Sequence, residues 1–444
     1  MKTLRIGAGA GFSGDRIEPA IDLIEKCALD FVVFECLAER TIALAQQARR
    51  IDPERGYDPL LEARMRAVLP VAARHGTKVI SNMGAANPLA AARQTREIAK
   101  ELGLSHLKVA AITGDDVLDA MLASDAVLDM TGRPVRDLGN RIISANAYTG
   151  AGSIVDALSA GADIVLTGRA ADPALFLAPL IHTFGWSMDD WERLGRGTVV
   201  GHLLECSAQV TGGYFADPGR KDVDNLAFVG FPFAVVSEDG SAVISKTPGS
   251  GGRVSRATCT EQLLYEIHDP AAYFQPDVVA DFSAVTFDEI GTDEVQVGGA
   301  SGRKRTGTLK VSVGYLDGFV GEGQITYAGP GAADRGALAL DILRTRIERF
   351  GPAVDETRSD LIGIDSVART DGARGAPREV RLRFSARCQT RTDAERIGAE
   401  VEGLYLCGPA GGGGVTRSVR EVIAIASALL PEDALIPRIQ MFED

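Results

Sequence analysis

Short apolar runs recur along the first half of the chain, each closed by polar or glycine residues and followed by residues at helical spacing. The runs are Leu4–Ile6, Phe31–Phe34, Lys78–Ser81, Leu107–Ile112, Arg141–Ile143 and Ile164–Leu166. They are mostly continuous rather than alternating, as strands covered on both faces are. Strands that alternate with helices predict an α/β fold, with a mostly parallel sheet, flanking helices and right-handed crossovers. This pattern defines an expected first domain, residues 1–224, which carries the site.

From about Asn225 the pattern changes. Phe233–Lys246 reads as two strands around Glu238-Asp239-Gly240, a hairpin signal. Thr258-x-x-Glu261 reads as a capping box ahead of a helix. Glu294–Val297, Gly307–Tyr315 and Phe319–Tyr327 read as antiparallel strands, and Ala333–Arg349 as a helix. Further strands are expected near Val380–Phe384 and Gly403–Cys407, then a glycine run and a last helix. Residues 225–444 are expected to form an α+β domain with antiparallel strands and a C-terminal glycine-rich loop and helix.

Composition narrows the function. The 444 residues are 45% hydrophobic, enough for a substantial core. The formal net charge of −13 leaves no Lys/Arg surplus for phosphates, which argues against nucleic acid or an anionic membrane surface as partner. No apolar run is long enough to span a bilayer, and the opening residues lack a signal-peptide pattern. A cytoplasmic location is expected. The six cysteines are scattered and no Cys/His group has zinc spacing, so no metal site is expected.

In an open parallel sheet the ligand lies beyond the carboxyl ends of the strands. Residues there are Ser13, Asp15 and Arg16; Glu35, Glu39, Arg40 and Thr41; Asn82 and Asn87; Thr113, Asp115 and Asp116; Asn146 and Tyr148; and Thr167, Arg169 and Asp172. Each has a plainer reading. Asp172-Pro173 suits a helix start, and Asp15-x-x-Glu18 a capping box. Asn82 and Asn87 suit turns, Asp115 and Asp116 a solvated turn, and Arg169 a salt bridge to Asp172. As a cation at a strand end, Arg169 also suits a carboxylate or phosphate.

Three glycine-rich stretches add alternatives. Gly9-x-Gly11-x-x-Gly14, with Glu35 about 20 residues on, has the dinucleotide pattern. Against it, Ser13-Gly14-Asp15 reads as a turn, and Pro19 marks a late helix start. NAD(P) is therefore the minor reading, and no other cofactor is evident. Gly249–Arg253, including Gly251, and Gly411–Gly414, with Gly413 followed by Thr416 and Arg417, suit anion nests; neither is a P-loop. His75, His106, His182, His202 and His268 show no triad spacing. Acid–base chemistry thus falls to Glu35, Asp15 or Tyr148.

The strings "GAGAGFSGDRIEPA", "DFVVFECLAERTIALAQ", "YDPLLEARMRAVLP", "SNMGAANP" and "GADIVLTGRAADPAL" resemble the acyclic terpene utilisation family, from the N-terminus to about residue 350. The resemblance implies catabolism of isoprenoid compounds through acyl-CoA intermediates. Longer relatives carry a C-terminal ferredoxin-like domain of roughly 100 residues. The resemblance thus implies a separate small ferredoxin-like-fold protein as partner. We expect a cofactor-independent enzyme of hydratase, lyase or isomerase type, acting on a small carboxylic acid or CoA thioester. The alternatives are a nicotinamide oxidoreductase and a non-catalytic substrate-binding subunit. A homo-oligomer is the base expectation.

Overall fold

The computed structural model describes residues 2–367 and 377–443. The chain divides into two compact units: residues 1–139, 143–314 and 425–444, and residues 140–142 with 315–424.

The first unit opens with β1 (Thr3–Ala10), α1 (Glu18–Cys27), β2 (Phe31–Phe34), α2 (Glu39–Ile51), α3 (Leu61–His75), β3 (Lys78–Ser81), α4 (Pro88–Glu101) and β4 (Val109–Thr113). It continues through α5 (Leu118–Ala123), β5 (Ile142–Ala147), α6 (Gly152–Ser159), β6 (Ile164–Thr167), α7 (Asp172–Phe184) and α8 (Trp191–Glu205). Strands β1, β2, β3, β6 and β4 lie in that order and pair in parallel. Their side chains alternate between two cores. Ile6, Val33 and Val165 pack with α6, α7 and α8, whereas Val32, Phe34 and Leu166 pack with α1, α3 and α4. Coverage on both faces is why the sequence runs are continuously apolar.

The parallel strands are only the centre of a ten-stranded sheet. The hairpin of β7 (Pro232–Ser237) and β8 (Ala242–Lys246) adds antiparallel to β1. After α9 (Arg256–Leu264), a small three-stranded sheet forms from β9 (Tyr273–Phe274), β10 (Val279–Asp281) and β13 (Ser301–Arg303). Between these, β11 (Thr286–Gly291) and β12 (Glu294–Gly298) extend the large sheet beyond β8. The expected mostly parallel sheet is thus a mixed one. Residues 225–444 do not form one body, because the hairpin after Asn225 hydrogen-bonds to the first strand of the chain.

The fifth run is a strand but lies outside the parallel set and pairs with β14 (Thr308–Ala328). β6 lies between β3 and β4, and the far edge of β4 is taken by β18 (Arg438–Phe442). No edge is left for β5. The two strands expected between Gly307 and Tyr327 are the single strand β14. The helix expected at Thr258 starts at Arg256, capped by Ser255, whose side chain accepts from Thr258 N; Glu261 takes no part in the box.

The second unit contains the later part of β14, α10 (Ala332–Phe350), β15 (Glu356–Ile362), β16 (Glu379–Cys388), α11 (Arg391–Glu402), α12 (Leu404–Cys407) and the start of β17 (Gly413–Pro431). β16 pairs antiparallel with β14 and β15, and α10 and α11 cover one core with Leu340, Leu382, Phe384 and Ile397. Two expectations change here. Gly403–Cys407 is helical, because Gly403 keeps helical angles and carries the chain on from α11. The helix expected after Gly411–Gly414 is the strand β17, whose Val415, Val419, Val422, Ile423 and Ile425 favour extended backbone.

Candidate functional site

Five strands running the same way bring their carboxyl ends to one edge, and the loops there supply the polar side chains. Glu35 follows β2 directly and is buried. Its Oε1 accepts hydrogen bonds from Asn82 Nδ2 at 2.8 Å and Leu37 N at 2.9 Å. Asn82, after β3, accepts at its Oδ1 from Cys36 N at 2.8 Å. It therefore locks the Glu35 loop rather than its own turn.

Arg169, after β6, is only 2% exposed. Its Nη2 lies 2.7 Å from Asp172 Oδ1, and its Nη1 donates to the Leu37 carbonyl. The guanidinium carbon lies 4.1 Å from the centre of the Tyr148 ring, a cation–π contact. Tyr148 in turn donates its hydroxyl to Glu39 Oε1 at 2.9 Å, and Lys310 Nζ reaches the same oxygen at 2.6 Å. Asp172 is the first residue of α7 and makes no cap; its carboxylate turns to Arg169 instead.

Glu35, Asp172 and Glu39 therefore face two cations, Arg169 and Lys310. Burial, and then the Asp172 charge, push Glu35 up to about 8. Asp172 is also raised, by burial first. Glu39 goes the other way: burial raises it, but the hydrogen bond and charge of Lys310 outweigh that and hold it low. Burial raises Tyr148, which stays a neutral donor. Burial thus leaves Glu35 a carboxyl raised into the neutral range.

A second layer holds these loops. Asp115 Oδ2 accepts from Arg169 N and from Asn146 Nδ2, both at 2.8 Å, and burial raises Asp115 to about 6. Gly168 is required beside it, since a Cβ there would lie 2.2 Å from Asp115 Oδ1. Gln46 Nε2 donates to Asp116 Oδ2 at 3.0 Å. Arg64, fully buried on α3, donates to the carbonyls of Ser13 and Asp15 at 3.0 and 3.1 Å and so fixes the turn after β1.

Of the expected residues, the fold gathers Glu35, Glu39, Asn82, Tyr148, Arg169 and Asp172 into one contact network, with Asn146 behind it. Others make their contacts elsewhere. Asp15 accepts from Gly11 N at 3.0 Å and Arg16 N at 2.9 Å, so it closes a turn rather than a capping box. Ser13 bonds Asp58, and Arg16 reaches the Ala227 carbonyl. Asn87 caps α4, Thr113 bonds the Arg438 carbonyl, and Thr167 bonds its neighbour Gly168. Gly251 packs against Asn225. Gly413, Thr416 and Arg417 belong to the second unit, where Thr416 accepts from Arg381 and Arg417 pairs with Glu402 at 2.7 Å.

The dinucleotide-like glycines also find their use. A Cβ on Gly9 would meet the Phe34 ring at 2.4 Å, and one on Gly11 would meet the Cys206 backbone at 2.5 Å. α1 starts only at Glu18. The close approach these glycines permit is taken up by the protein itself.

Three features were missed in the sequence. Lys310 joins from β14, far along the chain. His202 and Glu205 on α8 form a buried pair, 2.9 Å apart; their i, i+3 spacing was the available signal. The third is a cavity of about 710 Å³ bounded by Thr149, Ser153, Asp277, Arg305, Leu309 and Glu432. None of the expected site residues lines it. It adjoins the charged network through Thr149, whose hydroxyl donates to the Arg169 carbonyl at 3.2 Å.

The family model for acyclic terpene utilisation proteins, AtuA, matches residues 4–441. The chain belongs to the acyclic terpene utilisation family. The match runs through both units, beyond the stretch up to about residue 350 that carries the resemblance in sequence. No curated protein and no solved structure matches the chain. Among the described residues no group of three or more His, Cys, Asp or Glu is placed to hold a metal ion, and no helix is long and apolar enough to cross a membrane.

Proposed function

We propose that this acyclic terpene utilisation protein is a catabolic enzyme that moves protons on a small carboxylic acid or its CoA thioester. The reaction is of hydratase, lyase or isomerase type and is independent of a redox cofactor. The observation that carries this reading is Glu35. It is a buried carboxyl at the carboxyl edge of a parallel sheet, oriented by Asn82 and Leu37, and pushed up to about 8. A carboxyl in that range can give and take a proton at neutral pH, as general acid–base catalysis requires. Arg169, paired with Asp172, places a cation beside it, and Tyr148 and Lys310 meet at the neighbouring Glu39.

The oxidoreductase reading draws on Gly9, Gly11 and Gly14, and the packing of Phe34 and Cys206 against the first two favours the acid–base reading over it. The test is complementation. A strain lacking the gene and unable to grow on branched or terpenoid acids regains growth with the wild-type protein and not with folded Glu35→Gln. Normal growth with Glu35→Gln overturns the reading and favours a non-catalytic subunit.

A further inference from the structure

We propose that Glu205, held by His202, is a second proton-transfer group in the same site as Glu35, so that the reaction shifts a proton between two atoms of one substrate. This rests on the reading of Glu35 above.

The pair is built to hold one labile proton. His202 Nε2 lies 3.1 Å from the Leu263 carbonyl, which can only accept, so Nε2 carries a hydrogen. His202 Nδ1 lies 2.9 Å from Glu205 Oε1, and one further proton is shared between them. The ring is fixed between Tyr273 and Phe282, with centres 5.3 and 5.8 Å away. The pair is thus either imidazolium with carboxylate or imidazole with carboxylic acid, neutral in sum.

The other carboxylate oxygen has no partner. Glu205 Oε2 is buried and unbonded, as is Gln262 Oε1. The Gln262 amide cannot turn to help, because its Nε2 donates to the His202 carbonyl at 3.0 Å. Unmet buried acceptors are costly, and a hydrogen-bond donor from a ligand would satisfy them. The charged and titratable groups around the pair are Asp172 on α7, Glu266 after α9, Tyr273 on β9 and Cys206 next in the chain. Burial, opposed by His202, leaves Glu205 at about 7.

The backbone ties this pair to Glu35. The Cys206 backbone sits against Gly11, and Ser207 Oγ donates to the Ala8 carbonyl at 3.5 Å. At the same strand end, Glu35 N donates to the Ala10 carbonyl at 3.2 Å. Burial, then Glu205, and also Glu35, push the Cys206 thiol well up, so the thiol feels both carboxyls. Gly11 therefore has a second consequence: it admits the end of α8 to the edge where Glu35 stands.

With two carboxyls the chemistry closes without an oxidant. Glu205 as carboxylate takes a proton from a substrate carbon, breaking that C–H bond. The released pair forms a new C=C bond and displaces the existing π pair to a carbon two atoms away. That carbon takes the proton of Glu35, forming a C–H bond. Product and substrate are isomers, and the two carboxyls have exchanged protonation states, which solvent resets. His202 is a positioning residue.

The first test needs no turnover. In ¹⁵N-histidine spectra of the full-length protein, with His202 assigned by His202→Gln, Nε2 should stay protonated. The Nδ1 signal should shift in one step near neutral pH, and Glu205→Gln should abolish that step. Glu35→Gln should move its midpoint by about half a pH unit or more, as coupled sites require. An unchanged midpoint overturns the inference. The second test follows deuterium entry into 3-butenoyl-CoA in D₂O. Glu205→Gln should lose about 100-fold, Glu205→Asp should recover part, and His202→Gln should displace a limb of the pH profile. Wild-type rate and profile in Glu205→Gln, or a wild-type protein inert to the probe, overturns the inference. The reading of Glu35 falls only if Glu35→Gln supports growth.

Discussion

Each unit buries a carboxylate beside arginine, and the two behave in opposite ways. In the first, Glu35 and Asp172 share the field of Arg169, and both are raised, by burial first. In the second, Asp360 is 1% exposed and is gripped by two arginines. Arg383 Nη2 lies 2.6 Å away and Arg358 Nε 3.1 Å, and these bonds outweigh burial to hold Asp360 low. The difference is one of counting. Two cations on one carboxylate make a clamp that stays ionised. Carboxyls that share one cation are left to burial, which raises them, and a raised carboxyl is what acid–base chemistry near neutral pH uses.

Removing the cation from the first network is expected to have the largest effect. Arg169→Met leaves Asp172 and the Leu37 carbonyl without their partner, and breaking a buried pair costs about 3–5 kcal/mol. Urea denaturation should show more of the loss at pH 9 than at pH 6, because Glu35, raised to about 8, is ionised beside the missing cation only at the higher pH. Equal losses at both pH values would mean that Arg169 does not act on the charge of Glu35.

Asp360→Asn comes next, at about 2–3 kcal/mol, because both arginines lose their charged partner. A depressed carboxyl gives its stability above its ordinary value of 3.8, and that is lost as pH falls through the lower folded value. The cost should therefore be flat between pH 6 and 9. A slope there would remove the contrast.

Glu35→Gln sharpens the comparison through its sign. A raised carboxyl binds its proton more tightly in the folded state. Its contribution is complete below the ordinary 4.5 and is lost as pH rises through about 8. Wild-type stability should fall across that window by up to about 1.4 kcal/mol per pH unit from this group. Glu35→Gln should flatten the fall by that amount in denaturation midpoints taken at several pH values.

The smallest pair of effects concerns the glycine stretches. Gly11→Ala presses a methyl group into the Cys206 backbone and should cost about 1–3 kcal/mol. Gly413→Ala meets nothing within 4 Å and should stay within about 0.5 kcal/mol. Thermal melts of the two variants measure the difference.

Much of the first unit was legible because its elements depend on local pattern. Five of the six apolar runs are the parallel strands, since a strand buried on both faces must be apolar throughout. Glu35, Asn82 and Arg169 were legible for a related reason: parallel strands end on one edge, so residues after them meet, whereas Tyr148 follows β5, outside that set, and joins through its contacts with Arg169 and Glu39. Asp172 was legible as a position but ambiguous in role, because a helix cap and an arginine partner ask for the same residue. β17 was misread as helix because its valines and isoleucines also fit a helical stripe.

By itself, then, the sequence determined which segments are buried strands and which polar residues follow them at their carboxyl ends. Only the tertiary structure decided that Lys310 holds Glu39 low, that His202 Nδ1 lies 2.9 Å from Glu205 Oε1, and that Gly11 receives the Cys206 backbone. Hydrophobic patterning is a local signal, repeated every few residues. A proton's residence depends on burial and on charges brought from distant parts of the chain, and those distances exist only once the chain has folded.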